Sequence, residues 1–218
     1  MSTMVRAAMF AVLGYLSGSV LYARVFARLF RKENMLEQSR DQNPGTANAF
    51  LYGGFWCGTL TLVFDLLKGF LPVYLFLQYG NPGRVHPFLV ALVLAAPVIG
   101  HIFPLFYGLK GGKGIAVTFG CLAGLYPVLQ PLLAFAFCFL FFSLIVKISP
   151  HFYRTVFSYV LSLVILIRRM RNPAVIFGFL VITAVVLVRL HASREERGRL
   201  EVKLFGCFNT FLRDRRRT

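Results

Sequence analysis

Negative charge is what this 218-residue chain has least of. Its 8 Asp and Glu stand against 24 Lys and Arg, and charged residues of both signs make up only 15%. A soluble domain carries about 25% charged and about 45–50% apolar residues, whereas apolar types reach 57% here. That shortage excludes an ordinary soluble globular protein. It also leaves no polar domain to bind nucleic acid, in spite of a net charge of +16. Paired cysteines are missing too. Cys57, Cys121, Cys138 and Cys207 sit mostly in apolar runs with no CxxC spacing, which excludes a disulfide framework and a thiolate metal site. No small-residue cleavage site follows the first apolar run, so it reads as a retained helix and not as a signal peptide.

What the chain does have is apolar length. Charge-free stretches cover 7–23, 42–64, 85–109, 114–146 and 172–188, with shorter ones at 69–83 and 155–167. At about 20 residues per span, they predict an all-α polytopic membrane helix bundle of about seven transmembrane helices. The whole of 1–218 then forms a single integral-membrane domain, with a short basic cytoplasmic tail at about 191–218. Pro127 and Pro131 predict a break in 114–146. If that stretch crosses twice, 18 Lys and Arg fall inside and 5 outside; if it crosses once, the split is 10 to 13. Cytoplasmic loops carry the cationic excess, so seven spans are expected, in a multi-pass protein of the cell membrane. The cluster of Arg168, Arg169 and Arg171 then falls on the outer side, for which we have no account.

Three polar constellations interrupt the apolar background, all on the side assigned to the cytoplasm. In Asp41-Gln42-Asn43-Pro44-Gly45-Thr46-Ala47-Asn48, a turn signature leads into a helix. It is either a plain cap or a polar site in which amides and helix N–H groups meet an anion. Asp65 and Lys68 share one helix face at i, i+3. Inside a span they are a functional-site candidate or a self-neutralising pair that orients the helix, and the two roles are compatible. Gly100-His101-Ile102-Phe103-Pro104 precedes Lys110-Gly111-Gly112-Lys113-Gly114, a glycine-rich turn with lysines that opens a helix. Successive backbone N–H groups beside a cation suit a phosphate. The GxxxxGK[ST] spacing of a nucleotide-binding loop is absent. His191, Ser193, Arg194 and Glu201 form a weaker cluster after the last span, equally readable as a basic amphipathic surface helix.

These stretches together resemble the PlsY family, bacterial integral-membrane acyltransferases. The resemblance runs from Gly14-Tyr15-Leu16-Ser17-Gly18-Ser19 to Glu201. It is strongest in Asn43-Pro44-Gly45 with Asn48, in Asp65 with Lys68-Gly69, and in Gly100-His101 through Gly114. It implies transfer of a fatty acyl group from acyl phosphate to glycerol 3-phosphate, giving lysophosphatidic acid for phospholipid synthesis. It also implies an active site at the cytoplasmic face, no metal and no cofactor. The implied partners are acyl phosphate, glycerol 3-phosphate and the lipid bilayer, with no nucleic acid. Lys110, Gly111, Gly112, Lys113 and Gly114 would cradle the donor phosphate, helped by Lys68 with Asp65. Asp41, Asn43, Gly45, Thr46, Asn48, Ser193, Arg194 and Glu201 would form the acceptor side.

The chain departs from that family's pattern at several positions. Asp41 stands where the family has Ser, Thr46-Ala47 replaces Ala-Thr, and Leu51 stands where it has Arg. Ser193 or Arg194 stands where Asn is expected. Losing an arginine removes a bidentate phosphate partner, and an aspartate adds negative charge where an anion is to bind. A remodelled, weakened acceptor side is therefore expected unless Arg40 or Arg194 restores the cation. Acyl phosphate is already activated, so positioning and charge neutralisation suffice. No Ser-His-Asp constellation is visible, which argues against an acyl-enzyme. The catalytic candidates are Lys113, His101 and His191, with the donor phosphate preferred over either imidazole as base. The alternatives are the same chemistry with another alcohol acceptor, a non-catalytic sensor of acyl phosphate or anionic lipid, and a small transporter.

Overall fold

The computed structural model describes residues 2–193 and 198–204. Arg194 and Cys207 lie outside the described residues. Ten α-helices account for most of the rest: α1 (Thr3–Ser19), α2 (Tyr22–Leu29), α3 (Met35–Gln38), α4 (Thr46–Gly53), α5 (Phe55–Tyr79), α6 (Pro87–Ile102), α7 (Ile115–Ala123), α8 (Gln130–Leu140), α9 (His151–Arg169) and α10 (Pro173–Ala192). Prolines open α6 and α10 in the first turn, where no intrahelical N–H is needed. The Asn172 side chain accepts from Ala174 N at 3.0 Å and caps α10.

Among the described residues, four segments are long and apolar enough to cross a membrane: Thr3–Leu29, Phe55–Tyr79, Pro87–Tyr107 and Pro173–Ala192. The sequence reading expected about seven. Of the other helices, α7 has 9 residues and α8 has 11. α9 has 19 residues but carries Arg154, Arg168 and Arg169. The expected break near Pro127 separates α7 from α8.

Two expected spans are drawn differently. Gly54 has φ +89° and ends α4, a conformation that side-chain-bearing residues avoid. The stretch 42–64 is therefore not one span: α4 has 8 residues and rises only about 12 Å. α5 then runs unbroken through Asp65 and Lys68. The two charges neutralise each other, 2.8 Å apart and buried, so they do not interrupt the helix. Pro72, further along α5, cannot bond the carbonyl four residues back. That carbonyl, of Lys68, accepts from Ser17 Oγ of α1 at 3.3 Å instead.

α1 packs against α6 through reciprocal glycines. A Cβ at Gly18 would overlap the Pro97 carbonyl, and one at Gly100 would overlap the Tyr15 carbonyl. Tyr15 Oη donates to Phe103 O at 2.9 Å, and Leu105 N donates to Ser19 Oγ at 3.2 Å, so the end of α6 is tied to α1. The core lies among α5 to α10, with Phe135, Tyr159 and Phe179 fully buried. Tyr159 Oη donates to Thr118 Oγ1 at 2.8 Å.

One element departs from the all-helical expectation. β1 (Val146–Ser149) pairs antiparallel with β2 (Glu201–Leu204), Ser149 opposite Glu201.

Candidate functional site

The start of α4, the end of α6, the start of α7, the start of α9 and the end of α10 meet at one end of the bundle. Arg6 donates to Tyr79 O at 2.9 Å, at the opposite ends of α1 and α5. Among the described residues, two cavities lie at the meeting point, and Asp41 lines both.

The first cavity is mainly apolar, about 480 Å³, walled by Leu62, Ile115, Phe119 and Phe139. Asn43, Thr46, Asn48, Asp65, His101, Lys113 and His151 add polar groups at its edge. Gly114, Ile115 and Ala116 also line it, so the first turn of α7, whose N–H groups have no intrahelical partner, faces the space. The second cavity is polar, about 530 Å³, and holds Arg24, Lys110, Gly111, Arg189 and Ser193, with Glu33 and Glu37. The 110–114 loop thus divides between them: Lys110 and Gly111 face the polar cavity, Lys113 and Gly114 the apolar one.

The two central glycines of that loop are fixed by α6. Gly111 N donates to Ile102 O and Gly112 N to His101 O, both at 3.1 Å. A Cβ at Gly111 would overlap the His101 carbonyl, and one at Gly112 the His101 ring. Their N–H groups therefore satisfy the end of α6, and the N–H groups left for an anion are those of the α7 first turn. On the polar side the Gly111 carbonyl accepts from Arg189 at 2.5 Å.

Asp41 ties three groups of the site together. Its carboxylate accepts from Asn48 Nδ2 at 2.8 Å and from Asn43 N at 3.2 Å, and it pairs with Lys113 Nζ at 2.8 Å. Burial alone would push the Asp41 carboxyl up. The hydrogen bonds from Lys113, Asn48 and the Asn43 backbone and the Lys113 charge outweigh it and hold the group below its ordinary value. Asn48 Nδ2 also reaches Asn43 O at 2.9 Å. The Asn43 Oδ1 atom is buried with no hydrogen-bond partner among the described residues. A Cβ at Gly45 would meet Asn43 Nδ2 at 2.8 Å, so a side chain there would displace that amide.

Lys68 is placed differently from the sequence expectation. Its Nζ lies 2.6 Å from Val20 O, 2.8 Å from Asp65 Oδ1 and 2.9 Å from His101 Nδ1. The ammonium is thus hydrogen-bonded to Val20 O and His101 Nδ1 and ion-paired with Asp65, and Lys68 lines neither cavity. Asp65 does face the apolar cavity, with Thr46 Oγ1 at 3.5 Å. Since Lys68 donates to His101 Nδ1, the proton of the neutral ring belongs on Nε2.

The third motif is split. Ser193 lines the polar cavity and donates to Leu190 O at 2.8 Å. His191 is exposed and lines neither cavity. Glu201 lies in β2, paired with Lys203 at 3.0 Å, away from both cavities. Leu51 is 74% exposed and also absent from both. Residues the sequence reading did not single out also join the site, His151 and Arg189 among them. His151 faces the apolar cavity, its Nδ1 2.6 Å from Arg154, and Arg189 lines the polar one. Their sequence signals were a histidine opening a helix after Pro150 and a lone arginine ending an apolar span. Among the described residues no cluster of three or more His, Cys, Asp or Glu could hold a metal ion.

Comparison with known proteins bears on this geometry. The family model described as glycerol-3-phosphate acyltransferase matches residues 8–199. The glycerol-3-phosphate acyltransferase of Albidiferax ferrireducens is 39% identical over 118 residues, 54% of this chain and 52% of its own. That of Pseudoalteromonas translucida is 40% identical over 113 residues, 51% of this chain and 52% of its own. The chain spans about half the length of these curated relatives. Crystal structures of PlsY, an integral membrane glycerol 3-phosphate acyltransferase, share the fold at 26% identity. The glycerol 3-phosphate form gives a TM-score of 0.71 over 85% of this chain and 88% of that one. The lysophosphatidic acid form gives 0.67 over 84% and 87%.

Proposed function

Because the chain belongs to the glycerol-3-phosphate acyltransferase family, we propose that it transfers a fatty acyl group from acyl phosphate to glycerol 3-phosphate in the membrane, releasing lysophosphatidic acid. The observation that carries this reading is the pair of cavities, one apolar and one polar, sharing Asp41 as their common wall. An acyl chain suits the first, a polyol phosphate suits the second, and the reacting atoms meet at the partition.

The donor lies with its tail along Phe119 and Phe139 and its phosphate toward Lys113 and the first turn of α7. The acceptor hydroxyl enters from the polar side beside Asp41 and Asn43. The hydroxyl oxygen attacks the acyl carbonyl carbon, and the bond from that carbon to the phosphate oxygen breaks. Phosphate leaves with the bonding pair and takes up the hydroxyl proton. His151 in the apolar cavity has Nδ1 facing the Arg154 guanidinium, which disfavours proton uptake at its other ring nitrogen. That supports the departing phosphate as base. Lys68 and Asp65 position His101 and the end of α6.

The site opens to the cytoplasm in this reading, which the distribution of Lys and Arg supports, and residues 1–218 act as one membrane domain. The test is phosphate release from palmitoyl phosphate by purified protein, with and without glycerol 3-phosphate. Acceptor-dependent release with lysophosphatidic acid formed is expected; no release at all overturns the reading. Asp41 at the shared wall favours one variant of it, another polyol acceptor, which release with a different alcohol alone would select.

A further inference from the structure

The acceptor side has lost the arginine that the resemblance places at Leu51, and Leu51 points away from both cavities. Among the described residues, the polar cavity nevertheless holds three cations from three distant parts of the chain. Arg24 comes from α2, Lys110 from the loop before α7, and Arg189 from the end of α10. Arg189 is the best placed. One terminal nitrogen donates to Gly111 O, while its Nε is buried without a hydrogen-bond partner among the described residues. A guanidinium has five N–H donors in a planar fork, so anchoring on Gly111 leaves donors for a second, anionic acceptor.

The rest of the cavity narrows the ligand. Glu33 and Glu37 are exposed at its mouth, and Asp41 stands at its inner wall. Carboxylates repel a polyphosphate but accept hydrogen bonds from hydroxyl groups. Among the described residues, three cations with three carboxylates match a molecule that bears one phosphate and several hydroxyls. We propose that Arg189, with Lys110 and Arg24, forms the phosphomonoester subsite of the acceptor, so that the cation of this site comes from α10 in place of α4. This inference rests on the acyltransferase reading above.

The experiment compares two acceptors, glycerol 3-phosphate and uncharged glycerol, with palmitoyl phosphate as donor. In the parent chain glycerol 3-phosphate is used at far lower concentration. In Arg189→Gln its KM rises about tenfold or more, the loss expected of one charge-assisted pair, while transfer to glycerol barely changes. Arg189→Lys recovers part of the loss, because the charge returns without the fork. Equal losses on both acceptors would mean that Arg189 only holds the loop at Gly111, and would overturn the inference. So would a parent chain that uses the two acceptors alike. A parent chain inactive with palmitoyl phosphate on either acceptor overturns the acyltransferase reading itself, a result distinct from the other two.

Discussion

The Asp41 carboxylate and the Lys113 ammonium lie 2.8 Å apart, joining the two motifs that the sequence reading assigned to opposite substrates. The lysine expected to meet the donor phosphate already has an internal anion. Removing that anion therefore acts on the donor. In Asp41→Ser the apparent KM for acyl phosphate should fall about tenfold, since one charge-assisted bond at Lys113 is worth about 1.5–3 kcal/mol. A donor KM unchanged in steady-state phosphate release would contradict this coupling.

The same pair sets a pH dependence of stability. The Asp41 carboxyl is held below its ordinary value in the folded chain, so the folded state favours its ionised form. That stabilisation is fully present above the unfolded carboxyl pKa of about 3.9 and is lost as pH falls through the lower folded value. Melting of the detergent-solubilised protein should lose stability below about pH 4 more steeply in the parent than in Asp41→Asn. Identical acid limbs would remove Asp41 from the account.

Gly112 has no room for a side chain because of the His101 ring. Gly112→Ala should cost about 1–3 kcal/mol, the usual range for overpacking, and lower the melting temperature by several degrees. Adding His101→Ala removes the obstacle, so the double variant should be less destabilised than the two single losses added. Simple additivity would show that the ring is not what excludes the methyl group.

Lys68→Met leaves Asp65 buried without its cation, which is expected to destabilise by about 3–5 kcal/mol. Adding Asp65→Asn should restore much of that stability. Activity need not return with it, because Asp65 faces the apolar cavity. Recovery of stability without activity assigns the pair both an orienting and a site role; failure to recover stability would rule out mutual neutralisation as the reason the pair exists.

Sidedness follows from the two ends of α6. A cysteine introduced at Gly83, in the turn before α6, should react with an impermeant reagent applied outside, and one at Gly108 should not. The reverse pattern would invert the proposed orientation.

Much of the site was legible because short-range spacing carries it. Asp65 and Lys68 are one turn apart, Asn43 to Asn48 opens a helix, and Gly111 to Gly114 opens another. The membrane class followed from composition alone. What stayed hidden depends on which helices pack together. Arg189 reaches Gly111 across 78 residues, and nothing local marks it off from other arginines near the end of the chain. His151 enters the cavity through the seating of α9. The split of 42–64 turned on the positive φ of Gly54, in a sequence where glycine is common. Leu51 stands at the motif position that the family fills with arginine, whereas α4 turns it outward.

The reciprocal glycines of α1 and α6 decide which wall of the site can yield. With backbone against backbone at Gly18 and at Gly100, and Tyr15 and Ser19 bonded beyond the end of α6, neither helix can slide along the other without collision. His101, Gly111 and Gly112 are fixed to that rail. The other side of the site is built from α3 and α4, 4 and 8 residues long. Asp41 lies between those two helices, so the residue shared by both cavities stands off the rail that fixes His101, Gly111 and Gly112.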